Sequence, residues 1–334
     1  MTESNGEGLA AMVCDVETGI CGPAGDAQDP QGAQGMQDPQ GATKLTQFRP
    51  AVKKVDMYYV TDPICSHCWA LEPALRRFEH EYGRHLDVRV IMGGLLPAWD
   101  GFADRKNGIR GPEDVAHHWR EVGEAARMPI DGSVWLRDPV TSSYPPSRVY
   151  VVLRERDPEV ALRFLRLARE AVFAFDRNIS DPAVLADVVD QLGHPDLTGS
   201  AIVAEADSER GHELLTKDIT LAREMGVRGF PTILFVNEDG AGVKVTGVRQ
   251  PEAYVDALTQ TLGEGAEVRT SELPTLSELF EREGRLFSKE IEAFYGVEQA
   301  DVEAFVREHT AGVRSGMVLG EMYWEAAEVA ATTA

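Results

Sequence analysis

Val55-Asp-Met-Tyr-Tyr-Val-Thr-Asp-Pro-Ile-Cys-Ser-His-Cys-Trp-Ala-Leu-Glu-Pro, residues 55–73, runs from a β-prone stretch through a turn into a helix bearing two cysteines. Val55, Met57, Tyr58, Tyr59 and Val60 favour an extended chain, and Thr61-Asp62-Pro63 ends it. Beyond Cys65, the apolar residues Trp69, Leu71, Leu75 and Phe78 keep roughly helical spacing until Gly83. Val88 to Met92 then reads as a second buried strand. The order is β-α-β, with Cys65 and Cys68 at the head of the helix.

Thiol–disulfide exchange needs a thiolate, and an ordinary cysteine supplies little of one at neutral pH. At a helix start, unpaired backbone N–H groups and the positive end of the macrodipole favour negative charge, so Cys65 is expected to ionise easily. Cys68, one turn on, is placed to resolve a mixed disulfide on Cys65. His67 between them can add positive charge beside the thiolate and make the oxidised pair a stronger oxidant. The competing readings are half of a zinc site, for which no second CxxC or HxxxH follows at finger spacing, and an inert remnant on a fold used for binding. Far downstream, Gly229-Phe230-Pro231-Thr232 precedes a strand. A cis peptide at Pro231 would present the backbone of Phe230 to a peptide beside Cys65; a trans proline that merely opens the strand is the other reading.

From about Pro112 to Met225 the pattern is helical. Glu159 to Phe175 is apolar-periodic, Asp181-Pro182 is an N-cap followed by proline at N1, and Glu209 to Met225 closes at Gly226. Two short strands, Thr232 to Val236 and Val243 to Thr246, flank a turn at residues 238–242, and a helix spans Pro251 to Leu262. The expected fold is α/β, with a helical insertion over about 111–226 inside a unit spanning 51–264. Residues 265–334 are expected to form a helical extension, with segments at Leu276–Glu283, Ser288–Tyr295 and Asp301–His309 and a last one toward Trp324. The segment from Ser288 resembles the start of a helix-turn-helix, but the surrounding acidity argues against DNA reading.

Residues 1–50 form an acidic tail with no Lys or Arg before Lys44 and with Asp29-Pro-Gln-Gly-Ala echoed from Asp38. Such a segment cannot offset its ordering entropy by burial and is expected to be disordered. It holds Cys14 and Cys21, which the Thr18-Gly19 turn can bring together. They stand as idle thiols, as part of a zinc site, or as an auxiliary redox pair. A flexible chain from Cys21 to Cys65 has a reach of roughly 36 Å, enough to visit the dithiol.

The 33 basic and 55 acidic residues leave a net charge of −22, a field that repels phosphate backbones and anionic membranes. Nucleic acid and membrane are therefore not expected partners. The N-terminus lacks the basic and apolar regions of a secretory signal, and no apolar run approaches the roughly 20 residues of a bilayer span. The expected location is the cytoplasm, where cysteines serve chemistry more than scaffolding. No cofactor motif or resident metal set is apparent. His117 and His118 are adjacent in a helix and face apart, while Trp69, Trp99 and Trp135 read as core or groove-lining aromatics.

Taken together, the helix-start Cys-x-His-Cys, the helical insertion and the Pro-Thr before a strand resemble the DsbA branch of the thioredoxin superfamily. Within it, the stretch from Asp62 to Pro73, Tyr82-Gly-Arg and Ser288-Lys-Glu-Ile look most like the YjbH/SpxH group of ClpXP adaptors and the neighbouring FrnE-like oxidoreductases. The resemblance covers about Val55 to Trp324. It implies that Cys65 is the attacking thiol, Cys68 its resolver and Pro231 a cis-proline. In the adaptor group it implies a fold that binds a transcription regulator and hands it to a protease, with redox chemistry dispensable. Two features depart from that group: the long acidic tail, and the Ser-His inner pair, which is closer to an oxidant's Pro-His. The leading expectation is a cytosolic thiol–disulfide oxidoreductase or isomerase acting on protein or peptide thiols, with Cys65, His67 and Cys68 catalytic and Phe230, Pro231 and Thr232 binding substrate. The alternative is a non-catalytic adaptor delivering a client to ClpXP.

Overall fold

The computed structural model of the chain describes residues 52–104 and 107–326, and in the tail only the backbone of two short strands. Those strands, β1 (Met12–Cys14) and β2 (Cys21–Pro23), pair antiparallel with Cys14 opposite Cys21. The rest of the tail, its expected disorder and the side chains of its cysteine pair lie outside the described residues.

The β-prone run is β3 (Val55–Thr61), followed by α1 (Ser66–Tyr82) and β4 (Leu86–Met92). The insertion comprises α2 (Pro112–Ala126), α3 (Val134–Arg137), α4 (Tyr144–Arg156), α5 (Pro158–Arg169), α6 (Pro182–Asp190), α7 (Gly199–Ala206) and α8 (Glu209–Glu224). The helix expected to reach Phe175 ends as α5 at Arg169 and continues as a π-helical turn over Glu170–Ala174. Asp181 caps α6 by accepting from the Ala183 N–H, with Pro182 at N1. The unit closes with β5 (Thr232–Val236), β6 (Gly242–Thr246) and α9 (Pro251–Leu262).

The sheet order is β4-β3-β5-β6, with β3 parallel to β4 and antiparallel to β5. Successive side chains of a strand point to opposite faces. Val55, Met57 and Tyr59 of β3 therefore enter the main core with Phe78, Phe235 and Tyr254, while Val60 packs with Ile91 and Ala222 on the other face. Because β3 is central, the chain leaving its end delivers Asp62 and Cys65 to one rim of the sheet, next to the start of β5.

The extension contains α10 (Leu276–Glu283), β7 (Arg285–Phe287), α11 (Ser288–Tyr295), α12 (Val302–His309), β8 (Val313–Val318) and β9 (Glu321–Ala326). The expected helix toward Trp324 is instead a β-hairpin, and with β7 it forms a three-stranded sheet of order β7-β9-β8. The reason is local. Leu319 and Gly320 both have positive φ, 51° and 81°, as a two-residue primed turn requires, and such a turn sends the chain straight back on itself. Gly316 leaves room for the Tyr323 ring, which a Cβ would meet at 2.3 Å. Trp324 joins Leu279, Phe280 and Phe294 in a separate small core.

Candidate functional site

Cys65 is the N-cap of α1, extended at φ −79°, ψ 105°, and its Sγ accepts from the Cys68 N–H at 3.2 Å. That geometry puts both sulfurs on one side of the first turn, as free thiols. Cys65 is 5% exposed and Cys68 fully buried. The Cys65 N–H in turn donates to the Asp62 carbonyl at 3.2 Å, tying the turn to the end of β3.

The charge of the pair is distributed differently from the helix-start expectation. Burial and the neighbouring Cys68 push the Cys65 thiol well up. Burial also opposes ionisation of Cys68, but the Cys65 thiol, the Arg169 guanidinium and the Thr61 hydroxyl together bring it below its ordinary value. The two thiols titrate as a coupled pair in which the surroundings make Cys68 the easier one to ionise. The His67 ring lies 5.3 Å from that of His118 on α2. His117 turns the other way, toward Glu121 at 3.2 Å.

The Phe230–Pro231 peptide is cis. In the pairing of β3 with β5, Val60 lies opposite Thr232, so Pro231 reaches the rim beside the end of β3. Thr232 is buried and its hydroxyl donates to the Gly229 carbonyl at 2.7 Å, which fixes the loop before the strand. Phe230 lies across Gly93, where a Cβ would meet its ring at 2.0 Å; only glycine allows that approach.

A cavity of about 550 Å³ opens beside Cys65, between the start of α1, residues 95–104 and 107–109, α2 and the loop at 228–230. Trp99, Trp119 and Trp135 line it with His67, His118 and Phe230. The three indoles pack edge to face, Trp135 meeting Trp119 at 5.1 Å and Trp99 at 5.9 Å, so the walls are rigid aromatic surfaces. The Trp99 indole donates to the Val140 carbonyl at 2.9 Å, whereas the buried Trp135 N–H has no acceptor among the described residues. Trp69, by contrast, is a core residue whose indole donates to the Pro129 carbonyl. Among the described residues no group of three or more metal-ligating side chains comes together.

Three residues of this region escaped the sequence reading. Asp62, taken only as a turn former, is fully buried and accepts from the N–H groups of Ile64 and Leu95 at 3.1 and 2.7 Å and from the Ser143 hydroxyl at 2.8 Å. Glu72 and Arg169 form an ion pair inside the protein, and Arg169 Nη2 also donates to the Thr61 hydroxyl at 2.5 Å. The available signal was faint: arginines at 166 and 169 on the same face of an otherwise apolar stripe.

Burial raises the Asp62 carboxyl to about 6, its three donors only partly opposing this. Between about pH 4 and that value the folded chain holds a proton that the unfolded chain has released, so stability falls as pH rises through this window. The drop attributable to Asp62 is on the order of 3 kcal/mol. Unfolding free energies of the protein and of Asp62→Asn at pH 4 to 6.5 are expected to show a flatter profile in the variant. Identical profiles would assign the titration to another group.

A family profile described as Thioredoxin matches residues 58–256. The chain is 34% identical over 252 residues to the ClpXP adapter protein SpxH of Halalkalibacterium halodurans, spanning 75% of this chain and 76% of that one. The SpxH of Bacillus subtilis is 28% identical over 255 residues, spanning 75% and 81%. Among solved structures, a Nitrosomonas europaea protein assigned to the disulfide isomerases superposes with a TM-score of 0.52 at 21% identity, covering 64% of this chain and 100% of that one. At that identity the superposition establishes the fold.

Proposed function

This chain belongs to the thioredoxin superfamily, in its DsbA-like branch beside the SpxH adaptors, and from that membership we propose that it is a cytoplasmic adaptor that binds a client protein and delivers it to a ClpXP-type protease. The observation that carries this reading is the relationship to SpxH over three quarters of both chains. It reverses the order suggested by the motif alone, which placed exchange chemistry first. The architecture supports it: residues 265–326 add α10, α11, α12 and the β7-β9-β8 sheet to the thioredoxin-type unit. That addition is docked by buried ion pairs, among them Arg166 with Glu290, and so offers a second rigid surface.

If the adaptor reading holds, at least one cellular protein will have its half-life lengthened several-fold when this chain is deleted, equally when ClpX is removed, and no further when both are absent. Pulse-chase proteomics of the three strains checks this. A proteome in which no half-life responds to both deletions would overturn the reading.

A second activity is favoured by the dithiol itself. Cys65 stands at the wall of the aromatic cavity with Phe230, Cys68 lies buried one helical turn on, and the cis Pro231 and Thr232 follow Phe230 at the start of β5. We read these as an exchange site for a client thiol or disulfide, in which Cys65, the sulfur at the cavity wall, attacks as a thiolate after passing its proton to Cys68 within the coupled pair, and Cys68 then resolves. Client binding and disulfide exchange then share one site.

A further inference from the structure

We infer that Arg169 is the counter-charge of the reduced dithiol, a positioning residue that holds the pair's negative charge from beneath the first turn of α1. This rests on the reading of Cys65 and Cys68 as a redox-active pair. Cys68 and Glu72 are four residues apart and therefore share the buried face of α1. Arg169, at the end of α5, is fully buried. One terminal nitrogen of its guanidinium pairs with Glu72, and the other donates to the Thr61 hydroxyl at 2.5 Å and to the Asp62 carbonyl at 3.4 Å. Glu72 follows the dithiol and Thr61-Asp62 precede it, so the guanidinium bridges the segments on either side of the pair, near enough for its charge to act on Cys68.

The charge balance around that guanidinium is incomplete. Glu72 is shared, its other oxygen accepting from Arg76 Nε at 2.7 Å. The Nε–H of Arg169 has no acceptor among the described residues. A fully buried cation is costly unless anions face it. The groups around the pair include Tyr59 and Thr61 from β3, Asp62 just beyond it, His67 and Glu72 from α1, Arg169 from α5 and Tyr254 from α9, and Arg169 is the guanidinium buried with the pair whose charge acts on Cys68. Reduction of the disulfide supplies the missing anion: two electrons and one proton convert Cys65–Sγ–Sγ–Cys68 into one thiol and one thiolate. Arg169 thereby stabilises the reduced form and makes the disulfide a stronger oxidant. None of this is available from the Cys-x-x-Cys motif, because the charge comes from a helix about a hundred residues downstream.

The test compares the full-length chain with Arg169→Lys and with the double variant Glu72→Gln/Arg169→Met, which removes the cation without stranding the Glu72 carboxylate. Two readouts are taken: thiolate absorbance near 240 nm against pH, and the equilibrium in glutathione buffers, where the pair's disulfide plus two glutathiones gives the dithiol plus glutathione disulfide. The double variant is expected to lower that equilibrium constant at least tenfold, about 30 mV toward a more reducing pair. Its thiolate is expected to appear about one pH unit higher, with Arg169→Lys staying near the parent. A folded double variant with unchanged titration and equilibrium overturns the proposal, as does a lysine variant shifted as far as the double one. A parent chain that never exchanges with glutathione would instead refute redox activity of the pair, and the titration, which needs no exchange, would still decide the role of Arg169.

Discussion

Cys65→Ser is expected to reduce disulfide exchange with a client peptide to background, a loss of about three orders of magnitude or more, as removal of a nucleophile from a cooperating pair does. Cys68→Ala is expected to behave differently, accumulating Cys65–S–S–client adducts that non-reducing gels and mass spectrometry reveal. The balance of the reaction requires this. Cys65 Sγ attacks a client disulfide R–S–S–R′, forming Cys65–S–S–R and releasing R′S⁻. Cys68 Sγ then attacks Cys65 Sγ, closing the internal disulfide and expelling RS⁻, so the two cysteines are oxidised as one client disulfide is reduced. Without Cys68 the second displacement has no nucleophile and the adduct persists. The cavity sharpens the expectation, because Cys65 is nearly buried and is approached past Trp99, Trp119 and Phe230. Trapped clients should therefore carry bulky apolar residues next to the captured cysteine. Equal adduct yields from Cys68→Ala and from a Cys65→Ser/Cys68→Ala control would remove the exchange activity from the proposal. Client turnover through ClpXP in the Cys65→Ser strain separates the two activities: if delivery rests on binding alone, half-lives stay at the parent value.

The second large effect lies at the joint between the thioredoxin unit and the extension. Arg166 sits among Glu170, Glu290 and the Arg285 carbonyl, with both Arg166 and Glu290 side chains 2% exposed and the guanidinium 4.8 Å above the Trp69 ring. Arg285 continues the network to Glu170 and Glu325, and Arg76 reaches Glu283, which Arg76, Arg166 and Arg282 hold down to about 2 despite its burial. Glu290→Ala leaves a buried cation short of a partner and also deprives the Phe287 N–H of its acceptor. It is expected to destabilise the protein by roughly 3–5 kcal/mol, the range for breaking one member of a buried pair. Arg166→Met/Glu290→Leu should recover most of that loss, since what destabilises is the stranded charge. Urea unfolding measures both. A Glu290→Ala loss below about 1 kcal/mol, as for a solvated surface pair, would mean that the network does not hold the extension.

How far the fold could be read from the chain follows from the range of the interactions involved. Strand β3, helix α1 and the helix starts at Asp181-Pro182 and Pro251 were legible because apolar periodicity, N-caps and proline act within a turn or two of the residue that carries them. The hairpin around Leu319-Gly320 was not legible, because its signal is a single two-residue turn whose positive φ values show only in the folded chain. The Cys65–Cys68 pair and the proline at 231 were legible as residues, but not the electrostatics around them. Neither Asp62 as a buried acceptor of three donors nor Arg169 as the cation beneath the pair has a local signature. Apart from the neighbouring Ile64, each gains its role from partners 33 to 108 positions away.

By itself, then, the sequence determined the order of elements in the thioredoxin unit, the place of the dithiol at a helix head and the family, since all three are written in neighbouring residues. The tertiary structure decided which sulfur is the easier to ionise, what lines the cavity beside Cys65 and how the extension is fastened. Those properties depend on burial and on charges brought together from distant segments, and burial exists only once the chain has folded.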